Sequence, residues 1–193
     1  MGCLVADPLK VSQWHARLGE RRRPRVGLAW SGNPKHVNDS SRSLPLAGLV
    51  PHLPRDLDYF RIQTEIRPAD TPTLEANPWI ADLTDHLHDF TDTAAMCECL
   101  DLVIAVDTSL AHLSAALGKP TWILLPFVPD FRWLMDRTDS PWYPTATLYR
   151  QANVGDWKGV LARLEADLLR RFAGPSGHGA EHLKGEIQQD FQA

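Results

Sequence analysis

The sequence predicts an α/β fold, a doubly wound parallel sheet of Rossmann type. Three observations carry this expectation. The run Asp101 to Leu125, DLVIAVDTSLAHLSAALGKPTWILL, passes from strand through a tight turn into a helix and, after a short loop, into a second strand. Leu102 to Val106 is continuously apolar, as strands covered on both faces are, and Thr121 to Leu125 reads as a second buried strand, so the unit between them is a parallel βαβ crossover. Further short strand-like segments occur at Arg25 to Trp30 and Asp58 to Gln63. Finally, 193 residues with 44% apolar content suffice for about one domain with an ordinary core.

Asp7-Pro8 marks a helix start, an N-cap followed by proline at the first helical position, and predicts a helix to about Arg21. Residues 1–24 thus carry a helix ahead of a domain at 25–172. Arg25 to Trp30 is the first strand, followed by a long polar loop from Ser31 to Ser43. Leu44 to Leu49 opens a helix, Asp58 to Gln63 is the second strand, and Arg67 to Asn77, with Pro68 and Pro72, reads as a surface loop. Ile80 to Leu83 is a short strand, and Asp92 is the expected N-cap of a helix over 93–100. In the helix from Ser109 to Leu117, Leu110, Leu113, Ala116 and Leu117 share roughly one face, and Gly118 and Pro120 stop it. Thr147 to Arg150 is the last strand, and Asp156 caps a closing helix that ends near Phe172. Residues 173–193 lack apolar periodicity and are expected to be a poorly ordered tail.

Composition excludes several classes of partner. Twenty-four acidic against 20 basic residues leave a net charge of −4, with no electrostatic case for nucleic acid or a membrane surface. The cluster Arg21-Arg22-Arg23 with Arg25 reads as a solvated helix end. No apolar run is long enough to span a membrane and Met1 to Lys10 is unlike a signal peptide, so a cytoplasmic location is expected. Cys3, Cys97 and Cys99 form neither a metal knuckle nor a redox pair and read as inert thiols. Asp82, Asp85, His86, His88, Asp89 and Asp92 are dense but lack zinc spacing, so no metal is expected there. No internal repeat of tetratricopeptide period is present.

The polar turn Asp107-Thr108-Ser109 stands where such sheets bind ligands. The first amides of the helix it opens, including that of Leu110, have no intrahelical partner and carry the positive end of the macrodipole, which favours a phosphate. Thr108 and Ser109 add hydroxyl donors, and Asp107 can accept from sugar or ribose hydroxyls. Simple N-capping by Asp107 or Thr108 is the alternative. In the loop after the first strand, Arg42 offers a planar fork to phosphate oxygens and Lys35 a second charge. That loop also carries Ser31, Asn33 and His36.

Val106-Asp107-Thr108-Ser109-Leu110-Ala111-His112-Leu113 with Ala115-Ala116-Leu117-Gly118-Lys119-Pro120 resembles the signature of heptosyltransferase-like glycosyltransferases of family 9, which have the GT-B fold of two Rossmann-like halves. It is most similar to the domain at the C-terminus of bacterial tetratricopeptide-repeat glycosyltransferases. Leu28-Ala29-Trp30-Ser31-Gly32-Asn33-Pro34, Asn38-Asp39, Arg42-Ser43, Leu125 to Trp133 and Asp139-Ser140-Pro141-Trp142-Tyr143-Pro144 carry the same resemblance, which covers residues 7–170.

The resemblance implies a single C-terminal half of a GT-B fold, the half that grips the nucleotide-sugar, with the acceptor half and its general base absent from this chain. It also implies that the helix in residues 1–24 is a connector leading into that half. It implies inverting, metal-independent transfer from a nucleotide diphosphate donor, with no cofactor. A non-catalytic nucleotide-sugar-binding or interaction module left by truncation is the alternative. The expected partners are a nucleotide-sugar and an N-terminal GT-B half or tetratricopeptide-repeat region. Arg42, Thr108, Ser109, Leu110 and Lys35 are the expected diphosphate contacts. Asp107, His112, Ser31, Asn33, Gln63 and Asp130 are candidates for the donor's sugar or nucleotide, with Glu65 and Arg132 behind them. His112 is equally compatible with packing into the core. Phe131, Trp133, Trp142 and Tyr143 either close the core or form a stacking wall.

Overall fold

The computed structural model describes residues 2–173. The expected tail, from residue 174 onward, lies outside the described residues. Six parallel strands form one sheet in the order β3-β2-β1-β4-β5-β6, with β1 at Arg25–Ala29, β2 at Asp58–Arg61, β3 at Ile80–Asp82, β4 at Leu102–Val106, β5 at Thr121–Leu125 and β6 at Ala146–Arg150. This is the doubly wound order in which the chain leaves the sheet centre in both directions.

Helices cover both faces. On one side α1 (Pro8–Leu18), α5 (Phe90–Glu98) and α6 (Ser109–Ala116) pack Trp14, Met96, Cys97 and Ala111 against Val103, Ala105 and Ile123. On the other α3 (Leu46–Leu49) and α7 (Trp157–Phe172) bury Leu46, Leu49, Leu161 and Leu164 against Leu28, Ile104 and Leu124. Alternate residues of each strand point to opposite faces, so every position of β1, β4 and β5 is buried.

Several local expectations are corrected. The loop after β1 contains a short helix, α2 (Asp39–Arg42), and the segment assigned to a surface loop contains α4 (Thr71–Glu75). Helix α5 starts three residues early because Asp89 is the N-cap, accepting from the amides of Thr91 and Asp92; Asp92 instead pairs with Lys10 of α1 at 2.7 Å. In α6 and at its C-cap, Leu110, Ala116 and Leu117 are buried as expected while Leu113 is only partly so, and Ala111, Ser114 and Ala115 are buried as well, small side chains that let the helix lie close to the sheet. Arg25 is buried, not solvated: its Nη2 donates to the carbonyls of Leu18 and Gly19 and closes the end of α1. Cys97 and Cys99 are buried, and burial pushes the Cys97 thiol up to about 12. Cys3 is exposed.

Candidate functional site

Between β1 and β4 the winding direction reverses, and the loops beyond the carboxyl ends of these strands part to leave a crevice. Two cavities occupy it. The larger, about 630 Å³, is walled by Ser31, Gly32 and Asn33 after β1, Ile62 to Glu65 after β2, and Leu87 to Phe90 at the start of α5. The smaller, about 480 Å³, lies among His36 to Arg42, Asp107, His112 and the segment Pro126 to Arg132 after β5. Thr108 and Ser109 line both, so the first turn of α6 is their shared wall.

That turn is left open. Thr108 occupies the N-cap position in an extended conformation, but its hydroxyl donates to the Val106 carbonyl at 3.2 Å and makes no capping bond. The simple capping reading of this turn is therefore not what the side chain does. The amides of Ser109 and Leu110 lie at the positive end of the helix with no partner inside it.

Arg42 sits beside this turn. Its Nη1 donates to the Asp107 carbonyl at 2.9 Å, its Nε lies 3.9 Å from Asp39 and has no hydrogen-bond partner, and the side chain is 15% exposed. Asp39 is buried, accepts from the Ser43 hydroxyl at 2.8 Å, and forms an ion pair with Arg67. Arg67 also donates to Ser43 Oγ at 3.0 Å and to the Gly32 carbonyl at 3.4 Å. A second guanidinium thus stands behind Arg42, in a segment whose prolines suggested a plain loop. Nothing local in the sequence marks Arg67, because its partners Gly32, Asp39 and Ser43 all lie in the β1 loop.

Gln63 has a different role from the one expected. Its Oε1 accepts from the amides of Trp30 at 3.0 Å and Ser31 at 2.9 Å, and its Nε2 donates to Ser31 Oγ and to the Glu65 carbonyl, both at 2.7 Å. Both amide donors and both lone pairs are engaged, so Gln63 shapes the larger cavity without a free group for a ligand. Ser31 is buried with its hydroxyl facing Gln63; Asn33 lines the larger cavity and accepts from the Lys35 amide at 2.9 Å. Lys35 is exposed and lines neither cavity, whereas His36 lines the smaller one.

The smaller cavity concentrates charge. Asp107 and His112 face each other, Oδ1 to Nε2, at 3.7 Å. Asp130 caps the short turn Phe131–Trp133 and holds Arg132 by two hydrogen bonds, 2.7 Å to Nε and 3.1 Å to Nη2. These bonds keep the Asp130 carboxyl below its ordinary range and raise the Arg132 guanidinium. Of the four aromatic residues, Trp133 is fully buried and Tyr143 packs beside it, while Phe131 and Trp142 are exposed. Core closure thus describes Trp133 and Tyr143 only.

The acidic stretch before α5 does not converge. Asp82 pairs with Arg61, Asp89 and Asp92 pair with Lys10, and among the described residues no three His, Cys, Asp or Glu side chains gather as metal ligands would.

Two solved structures share this architecture. The E. coli ADP-heptose lipopolysaccharide heptosyltransferase II superposes with a TM-score of 0.60 at 17% identity, covering 87% of this chain and 54% of that one. The fold is that of a heptosyltransferase half-domain. A family 9 glycosyl transferase from Veillonella parvula DSM 2008 superposes with a TM-score of 0.54 at 12% identity, over 86% of this chain and 51% of its own. In sequence, the protein is 29% identical over 178 residues to Protein FlbA of Caulobacter vibrioides, covering 88% of this chain and 29% of that protein. The chain therefore spans about half of each solved structure and under a third of its Caulobacter relative. No protein-family profile matches the sequence. Among the described residues no helix is long and apolar enough to cross a membrane.

Proposed function

We propose that this chain is the donor-binding domain of an inverting, metal-independent glycosyltransferase and binds a nucleotide diphosphate sugar. The observation that carries this reading is the pair of cavities meeting at the uncapped first turn of α6, with Arg42 alongside. The nucleoside fits the larger cavity, where Ile62, Leu87 and Phe90 offer apolar surface to a base. The diphosphate crosses the turn, against the Ser109 and Leu110 amides, the Thr108 hydroxyl and Arg42. The sugar enters the smaller cavity, beside Asp107, His112 and Asp130.

In the reaction an acceptor hydroxyl attacks the anomeric carbon as the bond to the diphosphate oxygen breaks, and the electron pair leaves with the nucleotide. Charge that grows on the leaving oxygens is stabilised by α6 and Arg42, which are already in place. Asp107 serves the sugar, and the base that takes the acceptor proton comes from an acceptor domain beyond this chain, either an N-terminal GT-B half or a repeat-bearing region of a longer protein.

The test is calorimetric titration with UDP, GDP and ADP of the wild type, Thr108→Ala and Arg42→Ala. We expect one nucleotide to bind, and either substitution to weaken it about tenfold or more (~1.4 kcal/mol). A folded wild type that binds none of the three refutes the reading.

A further inference from the structure

The segment Asp139 to Pro144 is strongly marked in the sequence, yet none of its side chains lines either cavity. Its contacts lead to residues that do. The Tyr143 hydroxyl lies 3.1 Å from His112 Nδ1, and the two rings meet edge to face at 5.7 Å. The Trp142 indole donates to the Arg132 carbonyl at 3.1 Å. The opposite side of the cluster is equally constrained, since the fully buried Trp133 stacks on the His112 ring at 4.9 Å with an interplanar angle of 19°.

The Trp133 indole N–H has no partner, so packing and backbone hold the ring. The backbone just after it is unusual: Leu134 and Asp136 have φ of 52° and 56°, a region side chains other than glycine seldom occupy. Arg150, at the end of β6, donates to the carbonyls of Trp133 at 3.2 Å and Leu134 at 2.9 Å and secures this turn. A strained turn that a partly buried arginine fixes is the kind of feature that persists where geometry matters.

We propose that Tyr143 is a positioning residue whose hydroxyl, donating to Nδ1 of an imidazole stacked on Trp133, directs His112 Nε2–H into the smaller cavity, where His112 and Asp107 together read a vicinal diol of the donor sugar. The tautomer follows from the partners. A phenol is the natural donor toward Nδ1, which leaves the proton on Nε2, and Nε2 faces the Asp107 carboxylate. At 3.7 Å that donor and acceptor do not bond each other. They suit two adjacent sugar hydroxyls, one accepting from His112 and the other donating to Asp107. Asp130 and Arg132 face the same space and largely neutralise each other.

The inference rests on the donor-site reading for its ligand, but its tautomer arm is independent of any ligand. Long-range proton–nitrogen correlation spectra of the wild type, with His112 assigned through His112→Gln, should show the Nε2–H form. Tyr143→Phe, which keeps the ring, should give a tautomer mixture at unchanged melting temperature. A wild-type Nδ1–H form, or a His112 spectrum unmoved by Tyr143→Phe, overturns the positioning role. In the binding arm, the nucleotide that binds is compared with its hexose conjugate (UDP-glucose, GDP-mannose or ADP-glucose). We expect Tyr143→Phe and His112→Gln to weaken the conjugate about fivefold to tenfold and leave the bare nucleotide unchanged. Equal losses for both ligands, or no loss, overturn the sugar-reading role. Absence of nucleotide binding by the wild type refutes the donor-site reading, and the tautomer result then decides Tyr143 alone.

Discussion

Replacing Gly32 with alanine moves one partly buried guanidinium, that of Arg42, without removing its charge. A Cβ at Gly32 would lie 2.6 Å from Arg42 Nη2 and 2.9 Å from Cζ, closer than real contacts allow, and a tight 3.0 Å from Nε. Gly32 is not among the glycines of positive φ, so alanine introduces no backbone strain there and the clash alone acts. The far end of Arg42 has to swing away, which breaks its 2.9 Å bond to the Asp107 carbonyl. A hydrogen bond from a charged group contributes about 1.5–3 kcal/mol, and the displaced guanidinium recovers part of this from water, so a stability loss of ~1–2 kcal/mol is expected. Nucleotide affinity should fall about tenfold, as for Arg42→Ala, because both changes empty the same wall of the site. Urea unfolding followed by tryptophan fluorescence reads the first quantity and calorimetric titration the second. The decisive control is the double variant: if Gly32→Ala acts through Arg42, it adds nothing in an Arg42→Ala background. Fully additive costs, or a single variant indistinguishable from wild type, refute the reasoning.

Gln63→Ala removes the acceptor of two buried amides, those of Trp30 and Ser31. At ~1–3 kcal/mol for each buried group left unsatisfied, urea midpoints should report a loss of about 2–6 kcal/mol; a loss below ~0.5 kcal/mol would show that the loop rearranges freely. Asp82 predicts an acid limb. Partial desolvation opposes its ionisation, but hydrogen bonds from Arg61 and Thr84 outweigh this and hold the carboxyl below its ordinary 3.8. Its folded value is depressed, so its contribution is complete above 3.8 and disappears as pH falls through the lower folded value. Asp82→Asn should therefore flatten stability against pH below about 4, measured by urea unfolding at stepped pH; an unchanged slope counts against the Arg61 pairing.

Local patterning was enough to establish the sheet and its helices. Apolar-rich runs marked β4 and β5 to the residue, and Asp7 and Asp156 cap α1 and α7 as their spacing implied, since a cap is a contact between near neighbours in the chain. The position of the turn at Asp107-Thr108-Ser109 was equally legible, because a helix exposes its first amides wherever it begins, but that no side chain caps it was decided by the structure. What local chemistry offered in duplicate, tertiary contacts resolved. Asp89 and Asp92 are comparable caps for α5; Asp89 takes the cap, and Lys10 from a distant helix pairs with both, closer to Asp92 at 2.7 Å than to Asp89 at 3.4 Å. Proline after Asp70 is itself a helix-start signal, yet the Asp70 carboxylate binds the Trp30 indole and the Leu46 amide instead of capping α4.

The candidate site divides along the same line. Residue type and position beyond a strand end sufficed to single out Arg42, Asp107, Thr108 and Asp130. Packing alone decided that Gln63 braces the loop, that Lys35 stands clear of both cavities, and that Arg67 backs Asp39. The chain by itself determined where strands end and helices open, because those signals act over a few residues. Which side chains converge there was settled only when the sheet brought segments 31 to 65 residues apart into contact, where hydrogen bonding and burial choose among groups that the sequence leaves equivalent.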